Sequence, residues 1–390
     1  MADAILNRKI SNRVELGHPW IFGNEIDKVD NKAEPGDILS VYTYNKKFIG
    51  KGYFNPHSQI AIRLLTRDKK EEVNENFFFE KIKKAWEYRQ KLGYIENCRL
   101  VFGEADGLPQ LIIDKFNDYF VIQTMAFGIE IWKSAIVHAL EKLFSPKGIY
   151  ERNDVPIREL EGMTQQKGFL SKEFDPNIII QENGLKFHVD IENGQKTGYF
   201  LDQRDNRRAI QNIVKGADVL GAFTYTGTFE IHAAYYGARH VLGIDISAGA
   251  VEQARKNAAL NGLSDKCTFE TANAFDVLKQ WGMEGKRYDV VMLDPPAFTK
   301  TRANIEKAIA GYKEINLRGM KLIKPGGFLV TSSCTNLVSP ELFLQTIAMA
   351  AKDAKRTIRQ VSFQTQAADH PIIYGLENTQ YLKFLIVEVQ

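Results

Sequence analysis

The sequence predicts an α/β protein whose carboxyl-terminal part is a doubly wound, mostly parallel sheet, preceded by a small β-barrel and a central α+β domain. The first observation is that β-rich runs alternate with helical periodicity from Asp218 onward, which is typical of repeated β-α units. The second is a group of short β-rich runs before residue 70, separated by Asn, Lys and Pro. A length of 390 residues leaves room for two or three domains. We predict domains at 1–72, 73–177 and 178–390.

Composition places the chain among ordinary globular proteins, because 44% of its residues are hydrophobic and 25% are charged. Charged residues interrupt positions 1–10, so the apolar core of a secretory signal is missing, and no later run approaches about 18 apolar residues. We therefore expect a cytoplasmic protein without a membrane span. Cys98, Cys267 and Cys334 lie far apart in the sequence, which argues against a disulfide framework and against a metal site.

Charge is distributed unevenly along the chain. The net charge is only +3, yet residues 1–70 hold 12 Lys and Arg against 8 Asp and Glu. This local excess makes the amino-terminal segment the candidate for binding a polyanion, with Lys9, Arg13 and His18 as the predicted contacts. An ordinary solvated surface explains the same excess equally well.

The elements of the first two domains follow from short-range patterns. Alternating or β-rich runs predict strands, and apolar residues at helical spacing predict helices. The predicted strands are 38–44, 48–54, 59–65, 111–114, 120–124 and 148–152, and the predicted helices are 76–92 and 129–144. The charged run at 67–75 is the predicted linker. The Asn183-Gly184 pair predicts a hairpin between 178–181 and 185–190, because both residues tolerate positive φ.

The carboxyl-terminal series predicts a Rossmann-like sheet. Its predicted strands are 219–223, 240–245, 267–271, 288–293 and 328–333, and its predicted helices are 229–236, 248–261 and 305–323. In such a sheet, ligands bind beyond the carboxyl ends of the strands, near the switch in strand order. The candidate ligand-binding residues are therefore those at the carboxyl ends of these strands.

A glycine-containing segment, Gly221 to Gly227, follows the first strand of this series. Glycine lets a backbone approach a cofactor closely ahead of a helix N-terminus. The spacing differs from G-x-G-x-x-G, which argues against a dinucleotide cofactor. Such a segment is also found as a simple tight connection.

Two polar residues end the next strands. Asp245 is placed to accept hydrogen bonds from the hydroxyls of a ribose, and Ser247 is better placed than Asp245 to cap the following helix. Asn273 is placed to meet the edge of an adenine, although Asn also favours turns for its own reasons.

The most specific signal is Asp294-Pro295-Pro296-Ala297-Phe298, because two prolines fix the backbone beside the carboxylate and the ring. Cys334 follows the fifth strand of the series, among polar residues. A cysteine is usually a small buried hydrophobe, but its strand-end position favours a nucleophile.

At these residues the chain resembles a class I S-adenosylmethionine-dependent methyltransferase. More narrowly, it resembles the bacterial large-subunit ribosomal RNA (23S) cytosine-5 methyltransferase family, nearly from end to end. The residues that carry this resemblance are Gly17 to Phe22, the run from Lys196 to Arg207, Gly311 to Asn316, Ser333-Cys334 and Ala367 to Pro371.

The resemblance implies an RNA-binding PUA barrel, a central domain and a methyltransferase domain, with S-adenosylmethionine as cofactor and ribosomal RNA as partner. A homodimer is left open. The implied cofactor contacts are Phe200, Gln203, Arg204, Phe223, Tyr225, Thr226, Gly227, Asp245, Ile246, Asn273, Ala274 and Asp294. The chain departs from the family at Gly221, where an acidic or polar residue is usual, at Thr228, where a glycine is usual, and at Asn273, where Asp is frequent.

The resemblance also implies a mechanism in which Cys334 adds to carbon 6 of a cytosine and Asp294 stabilises the charge that develops on the ring. Phe298, beside Pro295 and Pro296, would stack on the flipped base. Asp369 and His370 are candidates, by resemblance, for removing the final proton. Two other functions stay open: methylation of a base nitrogen without an adduct, and RNA binding by a degenerate, inactive methyltransferase fold.

Overall fold

The computed structural model describes residues 2–8, 12–299 and 301–390. The chain divides into two compact units. Unit one comprises Met1–Ile180, Val189–Asp202 and Ala368–Thr379, and unit two comprises Gln181–His188, Gln203–Ala367 and Gln380–Gln390. The bounds of the three predicted domains stay a prediction. Among the described residues, every helix is too short or too polar to cross a lipid bilayer.

The first part of unit one is a six-stranded sheet around its own apolar core. Its elements are β1 (Asp3–Leu6), α1 (Asn12–Glu15), β2 (Trp20–Ile21), β3 (Ile26–Val29), β4 (Ile38–Tyr42), β5 (Phe48–Phe54) and β6 (Ile62–Thr66). The strand order is β2-β6-β5-β4-β1-β3. Leu6, Leu39 and Ile62 are fully buried in this core. Buried residues alternate with more exposed ones along β1, whereas β6 is buried throughout. The third predicted strand begins at Ile62 rather than residue 59, because Asn55 to Ser58 form a turn closed by a backbone hydrogen bond.

The second part of unit one is a five-stranded sheet covered by helices. Its elements are α2 (Glu75–Lys91), β7 (Asn97–Phe102), β8 (Leu111–Phe116), β9 (Tyr119–Thr124), α3 (Phe127–Glu130), α4 (Lys133–Phe144), β10 (Gly148–Asn153) and β11 (Gln166–Phe169), in the order β11-β10-β9-β8-β7. The prediction of one helix over 129–144 is wrong. The amide of Trp132 bonds to the carbonyl of Ile129, three residues back, and this tight turn separates α3 from α4.

A buried ion pair ties the barrel to the rest of unit one. Arg63 on β6 donates to Glu161, and both side chains are almost fully buried. Asn55 and Ser58 donate to the same carboxylate. Buried charges persist when their partners satisfy them, so this cluster explains why the two parts form one unit.

Unit two contains the predicted doubly wound sheet, so that prediction is confirmed. After the hairpin β12 (Asn177–Glu182) and β13 (Leu185–Asp190), its elements are α5 (Arg204–Ala209), β14 (Asp218–Ala222), α6 (Thr228–Tyr235), β15 (His240–Asp245), α7 (Ala248–Leu260), β16 (Cys267–Thr271), α8 (Ala274–Met283), β17 (Tyr288–Leu293), α9 (Ile305–Lys321), β18 (Ile323–Ser333), α10 (Pro340–Ala354), β19 (Ile358–Gln364) and β20 (Lys383–Val389).

The strand order in this sheet is β16-β15-β14-β17-β18-β20-β19. The first five strands run parallel, and β20 lies antiparallel between β18 and β19. Helices on both faces bury the sheet, which is why its central strands are nearly continuous runs of aliphatic residues. Leu220, Ile244, Val291 and Leu329 are at most 1% exposed.

Candidate functional site

The switch in strand order lies between β14 and β17, which continue the sheet in opposite directions. Loops that leave the carboxyl ends of two such strands diverge and open a crevice. Residues 223–227 follow β14, and Asp294 follows β17. The predicted strand-end residues of unit two are therefore brought to one edge of the sheet.

The loop after β14 has an unusual backbone. Phe223 and Tyr225 both adopt left-handed conformations, with φ of 65° and 48°, and Gly227 caps α6 at φ 78°. Side-chain-bearing residues hold such conformations only where their surroundings impose them, often at ligand sites. Gly221 lies within β14 rather than in the loop, in register with Gly243 and Met292 on the neighbouring strands.

Asp245 shapes this loop. Its Oδ2 accepts a hydrogen bond from the Tyr225 amide (2.9 Å), and its Oδ1 accepts one from the Ser247 amide (2.9 Å). Ser247 caps α7 through the Ala250 amide, as predicted. Asp245 is only partly buried, so its carboxylate is available to a ligand as well as to the loop. Its contact with a ribose stays a prediction.

The third strand end is occupied by a helix cap. Asn273 Oδ1 accepts a hydrogen bond from the Phe275 amide (3.0 Å), which is the turn-forming role that competes with adenine binding. Ala274 is buried, whereas Ile246, after β15, is 73% exposed. Their cofactor contacts stay predictions.

Asp294 is oriented by side chains from two other elements. Gln203 Nε2 donates to Asp294 Oδ1 (3.1 Å), and the Ser332 hydroxyl donates to the same oxygen. Asn206 in turn donates to Gln203 Oε1 (2.7 Å). The chain of hydrogen bonds from Asn206 through Gln203 to Asp294 fixes the carboxyl group at the crevice.

Cys334 is half-buried, directly after β18, and a buried lysine that the sequence analysis missed lies close to it. Lys383 on β20 pairs with Ser333 on β18, and its Nζ donates to the carbonyl of Thr335 (2.6 Å) and to that of Tyr381 (2.9 Å). Burial lowers the pKa of Lys383 to about 8, and the charge of a Cys334 thiolate opposes that fall. The lysine thus favours the thiolate. The sequence feature that could have identified this lysine is its position at the start of the apolar run 383–389.

Phe298 packs inside unit two. Its ring centroid lies 4.6 Å from that of Tyr312 and 5.9 Å from that of Phe275. Burial raises the pKa of Tyr312 to about 12, so its hydroxyl stays neutral. Pro295 is buried and Pro296 is exposed. The stacking of Phe298 on a base stays a prediction.

Arg204 has a partner within unit two. Its Nε lies 3.5 Å from Glu182 Oε2, and Arg207 pairs with the same carboxylate at 2.6 and 2.9 Å. Burial raises the pKa of Glu182, but the two arginines outweigh it and the pKa is lowered. Glu182 therefore competes with the cofactor for Arg204, which the resemblance places among the cofactor contacts.

The remaining predicted site residues belong to unit one or lie outside the described residues. Phe200 faces the ammonium group of Lys196, and His370 Nδ1 lies 2.8 Å from Asp369 Oδ1. Arg13 donates to both carboxylate oxygens of Glu25, and His18, whose pKa burial lowers to about 4, is neutral at physiological pH. Lys9 lies outside the described residues. The roles of all these residues stay predictions.

The site fits a nucleoside cofactor that carries a positive charge. The partly buried carboxylate of Asp245 offers acceptors, and the left-handed loop brings backbone groups to the crevice. A second carboxyl group, that of Glu230, is 98% buried beneath the loop, and its Oε2 has no hydrogen-bond partner among the described residues. The sheet order together with this site defines a class I methyltransferase fold.

Comparison with known proteins agrees with that class. A family model for S-adenosylmethionine-dependent methyltransferases matches residues 165–372, and one for PUA-like domains matches residues 4–67. Proteins from Shewanella denitrificans and Aliivibrio fischeri, each named ribosomal RNA large subunit methyltransferase I, are 41% identical to this chain. The alignments cover 96% of both chains for the first and 94% of both for the second.

Solved structures show the same fold. SMU.776, crystallised in complex with SAH, matches with a TM-score of 0.85 at 20% identity, with both chains fully covered. A tRNA m1G37 methyltransferase from M. jannaschii matches with a TM-score of 0.51 at 20% identity, covering 85% of this chain and 83% of its own. The chain therefore belongs to the family of S-adenosylmethionine-dependent methyltransferases that includes these large-subunit ribosomal RNA enzymes, and S-adenosylmethionine is its methyl donor.

Proposed function

We propose that this enzyme methylates carbon 5 of a cytosine in ribosomal RNA, in the cytoplasm, through a covalent adduct with Cys334. The observation that supports the covalent route best is the buried ammonium group of Lys383, whose hydrogen bond to Thr335 holds it beside the Cys334 thiol. The names of the relatives support ribosomal RNA as the substrate. They lend no support to the homodimer, which is not part of the proposal.

Carbon 5 of cytosine needs activation because it is a poor nucleophile within the aromatic ring. The Cys334 thiolate forms a bond to carbon 6, and the electron pair of the carbon 5–carbon 6 double bond moves to carbon 5 and the ring. Lys383 assists by stabilising the thiolate before the attack, which makes it a positioning residue rather than a catalytic one.

Asp294 acts on the opposite edge of the base. In its protonated form this carboxyl group donates a hydrogen bond to N3 and so stabilises the negative charge that the addition places on the ring; the ionised form, present when no base is bound, could only accept. Gln203 and Ser332 hold that group in one orientation before substrate arrives, so little reorganisation is needed during the reaction. Phe298 would stack on the base, with Pro295 and Pro296 shaping the approach.

When bound, S-adenosylmethionine supplies an electrophilic methyl group. After carbon 5 has gained the methyl group, a base removes the remaining carbon 5 proton. The electron pair of that C–H bond restores the carbon 5–carbon 6 double bond, and the thiolate of Cys334 leaves. Asp369 and His370, which pair with each other, stay the candidates for the base.

We further propose that the amino-terminal barrel supplies affinity for RNA. Arg8 stacks on the exposed ring of Tyr44 with its guanidinium carbon 4.4 Å from the ring centroid, and Lys46 and Lys47 are exposed in the same β4–β5 turn. Interleaved cations and aromatic rings suit phosphates and unstacked bases. Arg13 is committed to Glu25, so these residues are better candidates than Arg13.

Mass-spectrometric mapping of ribosomal RNA from cells with and without the gene tests the proposal. We expect one 5-methylcytosine in the large-subunit RNA to disappear without the gene and to return with the intact gene. Loss of an N-methylated base instead would favour the nitrogen-methylating alternative. An unchanged methylation map, with the protein expressed and folded, would contradict both.

A further inference from the structure

Glu230, in the first turn of α6, is a buried acid for which the sequence offered no role. Its side chain is 98% buried. Its Oε1 occupies space beside the backbone of Gly221, where a Cβ atom would overlap it. Gly221 therefore lacks a side chain for a physical reason: the room beside β14 is taken by a carboxyl group that comes from the helix above.

The other carboxyl oxygen points to a missing partner. Glu230 Oε2 has no hydrogen-bond partner among the described residues, and a buried polar atom left in this state costs free energy. Folded proteins keep such atoms mostly where a water or a ligand completes them. The position, under the loop that leaves β14, suggests the cofactor.

The charged and polar neighbours of Glu230 come from four elements. Burial raises its pKa from the ordinary 4.5 to about 7; the Thr224 hydroxyl and the Glu230 backbone amide oppose the rise, and the charges of Asp294 and Asp245 add to it. Cys267, on β16, also senses its charge, but burial raises the pKa of that thiol to about 12, so the thiol is neutral. The charges that act on Glu230 in this way are those of acids, and with a pKa of about 7 the group is about half-protonated near neutral pH.

The methyl donor and its product differ in charge at the reacting atom. S-adenosylmethionine carries a positive sulfonium, whereas S-adenosylhomocysteine carries a neutral thioether in its place. A cation brought into a site that holds three carboxyl groups favours their ionised forms, and the most easily shifted one is the carboxyl that is still partly protonated.

We propose that Glu230 is a further cofactor-binding residue that loses its proton when S-adenosylmethionine binds and so favours the charged methyl donor over the neutral product. The ionised Glu230 balances the positive charge of the donor. It takes up a proton again after methyl transfer, when the neutral product occupies the site. This inference rests on the cofactor alone, so it does not depend on which atom of the RNA base is methylated.

Calorimetry without RNA tests it. Binding of the donor and of the product is measured at pH 6, 7 and 8 in two buffers of different ionisation enthalpy, which counts the protons released. The wild-type protein should release about half a proton from this group at pH 7 when the donor binds, and less when the product binds. Glu230→Gln should lose that release, and its preference for donor over product should fall about tenfold for each pKa unit that the donor shifts Glu230.

Glu252→Gln is the matched control, because Glu252 is an exposed glutamate on α7 in the same unit. It should behave as the wild type. Subtracting the Glu230→Gln count from the wild-type count removes protons that come from the cofactor itself. Equal proton counts in the two proteins, or equal losses of donor and product affinity in Glu230→Gln, would overturn the proposal.

A second measurement on the wild-type protein covers the case in which Glu230→Gln does not fold. Difference infrared spectroscopy at pH 6.5 should show the band of a protonated carboxyl group disappear when the donor binds and persist when the product binds. A band that persists with both ligands would show that Glu230 is only a neutral buried group, and the proposal would fail.

Discussion

The burial of Glu230 predicts a specific dependence of stability on pH in the cofactor-free protein. The perturbation is Glu230→Gln, which replaces the carboxyl group by an amide of nearly the same size. The pKa of Glu230 is about 7 in the folded protein against 4.5 ordinarily. A difference of this size corresponds to about 3 kcal/mol of unfolding free energy, at 1.36 kcal/mol for each pKa unit.

The sign follows from which state holds the proton. Below pH 4.5 Glu230 is protonated in both the folded and the unfolded state, so it adds no pH dependence to the free energy of unfolding. Between pH 4.5 and about 7 the unfolded chain has lost the proton and the folded protein keeps it, so the wild-type free energy of unfolding falls as the pH rises. Above pH 7 the free energy of unfolding falls no further on account of this group, because the folded protein then also holds an ionised, buried carboxylate.

Urea unfolding at pH 4.5, 6 and 8 measures the effect. Glu230→Gln and wild type should be close in stability at pH 4.5, and the variant should be more stable by up to about 3 kcal/mol at pH 8. Other titrating groups are common to both proteins and cancel in the difference. The exposed Glu252→Gln variant should show no such trend. A difference between Glu230→Gln and wild type that is constant across this pH range would refute the reasoning.

Three further predictions follow from the site and the barrel. Asp245→Ala should weaken S-adenosylmethionine binding by at least tenfold, because it removes an acceptor and the support of the loop, and calorimetry showing unchanged affinity in the folded variant would contradict that assignment. Lys383→Met should raise the pKa of the Cys334 thiol and slow its alkylation at pH 7, whereas Lys383→Arg should restore much of the rate; equal rates in all three proteins would remove the lysine from the mechanism. Replacing Lys46 and Lys47 together by Gln should lower affinity for ribosomal RNA fragments and reduce the slope of log affinity against log salt by about 1 to 2, while exposed Lys28→Gln should change both less.

The doubly wound sheet could be predicted because its signals are local. The observed bounds of β15, β16 and β17 are the predicted ones. The last four residues of β17 form a fully buried apolar run, as expected for a central parallel strand, and β16, at the edge of the sheet, begins with an alternation of buried and exposed residues. Strand β19 was missed because its residues, mostly partly exposed, alternate weakly. The helix α10 carried a usable signal, the Ser339-Pro340 pair, in which Ser339 caps the helix.

The site was predictable only in part, because only some of its residues are placed by local sequence signals. Residues such as Asp245, Asp294 and Cys334 end predicted parallel strands, so the topology alone gathers them at one edge. Lys383 and Glu230 depend on packing that no local pattern encodes. The first lies near Cys334 because β20 inserts antiparallel beside β18, and the second reaches the site because Gly221 leaves room for it.

The central claim is covalent catalysis by Cys334, and trapping with a fluorinated substrate tests it most directly. RNA that carries 5-fluorocytosine at the target position should become covalently bound to the enzyme after methyl transfer, because fluorine cannot leave as a proton and the thiolate cannot be eliminated. Cys334→Ala should abolish the adduct and the methylation, whereas Cys98→Ala and Cys267→Ala, which change buried cysteines elsewhere, should retain both. A Cys334→Ala enzyme that methylates its RNA at nearly the wild-type rate would contradict the covalent mechanism.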